Sequence, residues 1–172
     1  MTEKQYELKF ISLNVRGLRN TKKRKAIFSW CRRRRADVIF LQETHSSSEI
    51  ESKWKNEWGN KIVFSHGKTN ARGVCILISK GVADFQIKKE IIDTNGRFII
   101  NFVTIEHEDY VLVNVYGPND YLKSVDFFKK LTSVLQTENV TAFDKILMGG
   151  DFNYALNPLL DRRGTSTFYR PK

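Results

Sequence analysis

The chain has 172 residues, a net charge of +10 at pH 7 and an apolar fraction of 41%. This length fits one domain, which we expect to span residues 1–172, and the apolar content excludes an intrinsically disordered chain. The apolar runs are too short to cross a bilayer, and the excess of basic residues favours a polyanionic partner, nucleic acid before an anionic membrane.

The two cysteines, Cys31 and Cys75, have neither the spacing of metal ligands nor that of a disulfide framework. A reducing compartment is therefore favoured. Cys75 lies within an apolar run and is expected to be a small buried hydrophobe. Because no apolar signal segment opens the chain, we expect a nuclear or cytoplasmic protein.

Strands and helices alternate in the first third of the chain. Residues 8–15 place apolar side chains on both faces of a strand, which is typical of a strand buried inside a layered α/β structure. A helix follows over residues 21–34, with Thr21 as its candidate cap, and a second strand covers residues 38–42. The inward stripe of that helix is predicted to be Ala26, Ile27 and Trp30.

The middle of the chain changes to consecutive strands. The capping-box sequence Ser46-Ser47-Ser48-Glu49 predicts a helix that ends near Trp58, and Asn95-Gly96 is a strong hairpin signal. A helix over residues 121–136 and a last strand over 145–148 follow. The strands between the helices are predicted at 61–65, 73–79, 84–92, 98–105 and 110–116. This order favours two packed sheets with helices outside them.

Four of the predicted strands end in polar side chains. The residues at these ends are Asn14, Glu43, Tyr116, Asp151 and Asn153. The carboxyl ends of strands, and the loops after them, are where α/β enzymes commonly place their chemistry. Carboxylate and carboxamide oxygens suit hard cations such as Mg²⁺. The pattern therefore outlines a metal-assisted phosphodiester hydrolase.

These segments resemble the endonuclease/exonuclease/phosphatase superfamily in order and spacing, and within it the endonuclease domains of LINE-type (non-LTR) retrotransposons. The matching segments are 11–19, 41–45, 114–119 and 148–153. Three further segments favour the retrotransposon branch, namely 72–79, 96–100 and 157–162. The resemblance covers essentially the whole chain. It implies an α/β fold, a four-layer sandwich of two packed mixed sheets flanked by helices, with the active site at one end of the sheets.

The resemblance also implies a role for each strand-end residue. Glu43 would be the main ligand of Mg²⁺, or of Mn²⁺, and Asn14 would lie beside the same ion. Asp151 would orient and deprotonate the attacking water, Asn153 would hold a non-bridging phosphate oxygen, and Tyr116 would donate to the phosphate. The structural alternatives are an exposed glutamate, Asx turns at the asparagines and the aspartate, and an aromatic plug at the tyrosine.

DNA is the partner that the resemblance implies, and no membrane contact is expected. The candidate DNA contacts lie in loops and are Arg16, Arg19, Lys68 and Arg72. The basic runs 22–25 and 32–35 flank one helix and suit phosphate contacts or a nuclear import signal, although a solvated helix face is favoured for the arginine run. His45 is left outside the catalytic set because loop histidines are more often solvated.

The family pattern continues beyond Asn153 to a terminal Ser-Asp-His-type motif whose histidine binds the phosphate. The chain reaches Lys172 without it, and its three histidines all precede Asp151. We therefore expect an incomplete domain with its C-terminal strands missing. Loss of one such transition-state donor typically lowers the rate by about 10²–10³-fold, so weak or absent activity is expected of this chain.

The function implied is Mg²⁺-dependent endonucleolytic hydrolysis of DNA. In the LINE branch the nick at the target site primes a reverse transcriptase, which would lie downstream in a longer product. Two alternatives stay open, an apurinic/apyrimidinic repair endonuclease and a catalytically inactive, truncated DNA-binding remnant. The target sequence and the oligomeric state are not specified by the sequence.

Overall fold

The computed structural model describes residues 7–68 and 70–154. Segment 157–162 of the retrotransposon-like pattern lies outside these residues. The helices are α1 (Thr21–Arg33), α2 (Glu51–Trp58) and α3 (Tyr121–Thr137). The strands are β1 (Phe10–Asn14), β2 (Val38–Gln42), β3 (Ile62–Ser65), β4 (Val74–Ile78), β5 (Gln86–Ile92), β6 (Phe98–Ile105), β7 (Glu108–Tyr116) and β8 (Ile146–Asp151).

The first sheet has the strand order β1-β2-β4-β3. β1 and β2 run parallel, with α1 as the connection between them, and Asn14 pairs with Gln42 at their shared carboxyl end. β4 is antiparallel to both β2 and β3. The sheet is therefore mixed, and its parallel pair brings two of the predicted strand ends side by side.

The second sheet has the strand order β5-β6-β7-β8. β5, β6 and β7 form an antiparallel meander, and the predicted turn at Asn95-Gly96 joins β5 to β6. α3 connects β7 to β8, which run parallel, so Tyr116 pairs with Asp151 at their carboxyl ends. This sheet repeats the arrangement of the first, with two predicted site residues on neighbouring strand ends.

Three apolar clusters separate four layers. One lies between the first sheet and helices α1 and α2, the second between the two sheets, and the third between the second sheet and α3. Cys75 is fully buried in the first cluster, as predicted. The four-layer sandwich predicted from the resemblance is thereby confirmed for the described residues.

The buried face of α1 agrees with the prediction in part, since Ile27 and Trp30 are partly buried against the first cluster. Ala26 is exposed, whereas Arg24, Phe28 and Cys31 are buried. The reason is that Arg24, 2% exposed, donates to Glu57 and to the carbonyl of Leu18, so a charged residue occupies an inward position. A pattern based on hydrophobicity assigns such a residue to the surface.

The two predicted caps are also wrong. Asn20, not Thr21, caps α1, because its side chain accepts a hydrogen bond from the backbone N–H of Lys23 at 3.0 Å. The capping box at Ser46 does not form, since a 3₁₀ turn at Ser48–Ile50 precedes α2 and the Ser46 hydroxyl bonds elsewhere.

Within the part of the chain that the structure describes, no helix is both long and apolar enough to span a membrane.

Candidate active site

Four predicted site residues meet at the carboxyl ends of the parallel strands. The side-chain nitrogen of Asn14 donates to Glu43 Oε1 at 2.8 Å and to Asp151 Oδ2 at 2.7 Å. The Tyr116 hydroxyl donates to the same Glu43 oxygen at 2.9 Å. Residues far apart in the chain and on both sheets thus form one hydrogen-bonded cluster.

The backbone of β8 approaches β7 closely at this edge. Gly150 has φ of +145°, and a Cβ there would lie 1.9 Å from the carbonyl oxygen of Val115. No side chain fits at that distance, so a glycine is required. The paired glycines before Asp151 therefore allow β8 to place its carboxylate against Asn14.

The amide of Asn14 holds both carboxylates in place. Its oxygen accepts from the backbone N–H of Arg16 at 3.0 Å, so its nitrogen faces Glu43 and Asp151. In this orientation Asn14 positions the two acids. As a metal ligand it would have to turn its amide oxygen towards them, so that role stays a prediction.

Asp151 and Asn153 form a local turn as well as part of the site. The backbone N–H of Asn153 donates to Asp151 Oδ1 at 3.1 Å, and the Asn153 amide donates to the Gly117 carbonyl at 2.9 Å. Asn153 has φ of +50°, a left-handed conformation that asparagine tolerates well. The Asx turn considered as an alternative is therefore present, and it lies beside the cluster.

The donor set fits a hard divalent cation. Glu43 and Asp151 offer two carboxylates, joined by one carboxamide, and Mg²⁺ binds proteins through one or two carboxylates while it keeps several waters. Within residues 7–68 and 70–154, no three His, Cys, Asp or Glu side chains form a cluster that could hold a metal. The chemistry of the site thus suits Mg²⁺ or Mn²⁺ better than zinc, which prefers nitrogen and sulfur ligands.

The phenol of Tyr116 stays protonated over a wide pH range. Burial and the hydrogen bond to Glu43 raise the pKa of Tyr116 to about 12. Arg97 lies over its ring, with the guanidinium carbon 4.9 Å from the ring centre. Tyr116 is therefore held as a hydrogen-bond donor next to the carboxylate.

The loop that carries Glu43 is fixed by backbone bonds from two neighbouring loops. Gly17 N donates to the Glu43 carbonyl at 2.6 Å, and His45 N donates to the Arg72 carbonyl at 2.9 Å. Glu43 and His45 have φ of +52° and +54°, which non-glycine residues seldom adopt. Strained backbone of this kind persists where the surrounding structure holds it, as at many functional sites.

A chain of side-chain hydrogen bonds supports the same loop. Thr44 donates to Ser46 at 3.1 Å, Ser46 lies 2.9 Å from His66 Nδ1, and His66 Nε2 lies 2.8 Å from Glu51. The ring of Phe64 stacks on His66. The sequence does not reveal the partners of His66, because they come from α2 and from the loop after β2.

Gln42 and Asn114 were also missed as individual site residues. Both are fully buried, and Gln42 Nε2 donates to Asn114 Oδ1 at 2.8 Å between the two sheets. Asn114 donates in turn to the carbonyls of Cys75 and Leu41. The only sequence signal was their position one and two residues before Glu43 and Tyr116.

A cleft of about 380 Å³ opens beside this cluster. Of the predicted DNA contacts, Arg72 lines the cleft, whereas Arg16, Arg19 and Lys68 are exposed on loops and do not line it. Arg97, which sequence reasoning did not select, also lines it. The cleft is also lined by Glu43, His45, Tyr116, Asp120 and Lys123.

Comparison with known proteins places this geometry in a family. The model of the endonuclease/exonuclease/phosphatase family matches residues 11–171. The "Transposon TX1 uncharacterized 149 kDa protein" of Xenopus laevis is 30% identical over 154 residues, which is 87% of this chain and 11% of that protein. The predicted likeness to this family and to retrotransposon proteins is confirmed.

Solved structures show the same fold at lower identity. The catalytic domain of Xenopus laevis APE2 is 18% identical, with a TM-score of 0.68 over 91% of this chain and 62% of that chain. An AP endonuclease from Archaeoglobus fulgidus is 22% identical, with a TM-score of 0.57 over 76% and 52%. D. rerio TDP2 complexed with single strand DNA product is 22% identical, with a TM-score of 0.62 over 86% and 61%. The chain thus spans less than two thirds of each of these relatives.

Proposed function

The chain belongs to the endonuclease/exonuclease/phosphatase family, a family of phosphate-ester hydrolases, and we propose that it is a Mg²⁺-dependent endonuclease that hydrolyses DNA phosphodiester bonds. The observation that carries the proposal is the Asn14 amide, which joins the carboxylates of Glu43 and Asp151 at 2.8 and 2.7 Å. Two close carboxylates and an adjacent phenol suit metal-assisted attack of water on a phosphate.

Each residue contributes a separate step. Asp151 accepts the proton of the attacking water, Asn14 keeps that carboxylate in line, and Tyr116 donates its O–H to a phosphate oxygen as negative charge develops there. Attack forms the new P–O bond and breaks the bond to the leaving 3′ oxygen. Glu43 would hold Mg²⁺, and Asn14 would join it as a ligand only after its amide oxygen, which accepts from the Arg16 N–H, turns towards the ion. The metal would offset charge on the phosphate and the leaving oxygen.

Duplex DNA is the proposed substrate. The net charge of +10 suits a polyanion, and the loops around the cleft carry exposed basic side chains. The likeness to a transposon protein supports a role in target-site nicking for a LINE-type element, with a reverse transcriptase in a longer product.

The test is nicking of supercoiled plasmid by the purified chain, with Mg²⁺ or with EDTA. We expect weak, metal-dependent nicking that Glu43→Ala and Asp151→Ala each abolish. Near-wild-type nicking by either variant would contradict the assigned roles. DNA binding without any cleavage would instead support the inactive, truncated DNA-binding protein that the sequence left open.

A duplex with one abasic site separates the two enzymatic candidates. A target-nicking endonuclease cuts the intact and the abasic duplex at comparable rates. A strong preference for the abasic site would replace the retroelement role with that of an apurinic/apyrimidinic endonuclease, and the same residues would still perform the hydrolysis.

A further inference from the structure

Two arginines from different sheets line one wall of the cleft. Arg72 lies in the loop between β3 and β4, and Arg97 follows the turn between β5 and β6. We propose that Arg72 and Arg97 together form a binding site for a second phosphate of the DNA strand, next to the phosphate that is cleaved. The proposal rests on the proposed function, because it takes DNA as the ligand of the cleft.

Arg97 is held with part of its guanidinium available. Its Nη1 donates to the carbonyls of Tyr116 at 3.3 Å and Gly117 at 3.0 Å, while its guanidinium carbon lies over the Tyr116 ring. Arginine presents five N–H donors in a rigid fork. The two bonds from Nη1 to carbonyl oxygens therefore hold the guanidinium in place and leave its other N–H groups to donate to a ligand.

No ion pair neutralises Arg97 within the described residues. The acid closest in sequence, Asp93, accepts from Lys130 at 3.0 Å and from the backbone N–H groups of Asn95 and Arg97. Burial lowers the pKa of Arg97 and the charge of Arg72 lowers it further, although Tyr116, Asp93 and Glu43 act in the opposite direction. A partly buried cation beside a second cation favours an anion between them.

The position of Arg72 is fixed by contacts between the tips of the two hairpins. Gly73 N donates to the Gly96 carbonyl at 3.1 Å, and a Cβ on Gly96 would lie 2.7 Å from Gly67. Gly96 has φ of +69°, so a side chain there would be strained as well as crowded. The glycine contact therefore sets the spacing between Arg72 and Arg97.

A phosphodiester is the anion that fits this site. Arginine forks bind phosphate oxygens through paired hydrogen bonds, and the cleft also contains Glu43 and Tyr116 of the catalytic cluster. A strand whose reacting phosphate lies at Glu43 would place a neighbouring phosphate along the same wall. The opposite wall, at the start of α3, pairs one carboxylate, Asp120, with one ammonium, Lys123, whereas the arginine side carries two cations without an acid between them in the cleft lining apart from Glu43.

The first experiment measures DNA binding in EDTA, where no cleavage occurs, as a function of salt concentration. Loss of one phosphate contact lowers the slope of log affinity against log salt by about 0.9 for duplex DNA. We expect Arg72→Met and Arg97→Met each to lower the slope. The matched control is Arg33→Met, an exposed arginine at the end of α1 remote from the strand ends, which should leave it unchanged.

The second experiment neutralises single phosphates of a short nicked duplex as methylphosphonates. A methylphosphonate at one position next to the nick should weaken wild-type binding by about 10- to 100-fold, the usual range for loss of a charge-assisted contact. The Arg72→Met/Arg97→Met double variant should lose this sensitivity. Arg97→Lys, which keeps the charge but loses the fork, should show an intermediate effect, and thermal unfolding should confirm that each variant is folded.

The outcomes separate this proposal from the proposed function. A position-specific effect without plasmid nicking would support the phosphate site and contradict catalysis. If the chain nicks plasmid but each methylphosphonate weakens binding equally in wild type and the double variant, catalysis is supported and the phosphate site is overturned. Weaker binding by Arg97→Met with an unchanged profile would also overturn it, because Arg97 would then act only through Tyr116.

Discussion

Gln42 donates a 2.8 Å hydrogen bond to Asn114 from one sheet to the other, next to the cluster of Asn14, Glu43, Tyr116 and Asp151. Both residues are fully buried, and each lies within two residues of a cluster member, Glu43 or Tyr116. The relative position of the two sheets at the cleft is therefore set by a polar contact inside an apolar interface. Buried polar contacts of this kind favour one packing arrangement when all their groups are satisfied.

We predict that Asn114→Leu destabilises the protein by about 2–3 kcal/mol, because it removes the Asn114 donor from the carbonyls of Leu41 and Cys75 and leaves the Gln42 amide with only Ser12 as a partner. Chemical denaturation of single and double variants tests this. Since Gln42→Leu removes one of the unpaired groups, the double variant should lose less stability than the two single variants combined. Additive losses would mean that the two residues act independently.

We predict that Asn14→Asp makes folding stability depend on Mg²⁺. The substitution replaces the amide that donates to Glu43 and Asp151 with a third carboxylate, so like charges repel each other until a cation binds. The unfolding temperature in Mg²⁺ minus that in EDTA should be larger for Asn14→Asp than for wild type. Equal unfolding temperatures in Mg²⁺ and in EDTA for both proteins would argue against a cation at this cluster.

We predict that the Tyr116 phenol loses its proton at a higher pH than an ordinary tyrosine does, because its pKa is about 12. Its pKa is raised from 10 to about 12 by burial and by Glu43, so the unfolded chain loses this proton first. The stability from neutral Tyr116 is complete below pH 10 and is lost as the pH rises towards 12. Ultraviolet difference titration of wild type against Tyr116→Phe isolates this group, and Glu43→Gln should move its pKa back towards 10. A midpoint near 10 in wild type would contradict the geometry.

We predict that Arg24→Met costs about 3 kcal/mol of unfolding free energy. It leaves Glu57 and the carbonyl of Leu18 without their donor in a largely buried environment. Denaturant unfolding measures the loss. Arg33→Met, which removes an equal charge from the exposed end of the same helix, should change stability by less than about 0.5 kcal/mol. Equal effects of both changes would mean that net charge, not the buried pair, controls stability.

The strand ends could be predicted from the sequence because they depend on local pattern. Apolar runs located β1, β2, β7 and β8 to within a few residues, and parallel pairing brings their carboxyl ends together. This placed Asn14 beside Glu43 and Asp151 without any knowledge of distances. The four-layer order followed from the resemblance and from helices that flank consecutive strands.

The supporting residues could not be predicted because their partners are distant in the chain. Arg24 is buried because it pairs with Glu57 on α2, which is 33 residues away in the chain. His66 contacts Ser46 and Glu51 only in the folded protein, where β3 brings it beside them. Arg97 looks like a turn residue until the second hairpin places Arg72 next to it. Charged and polar side chains whose partners are distant in the chain do not recur at a helix or strand period. A sequence pattern therefore does not reveal them.

The most direct test of the account is the Mg²⁺ dependence of the initial nicking rate for wild type, Glu43→Gln and Glu90→Gln. Glu90 is an exposed glutamate on β5 and serves as the matched control. The account predicts saturable Mg²⁺ activation in wild type and Glu90→Gln, and a loss of at least about 10²-fold in Glu43→Gln. Equal rates and equal Mg²⁺ dependence in all three proteins would contradict the claim that Glu43 anchors a metal-dependent phosphodiester site.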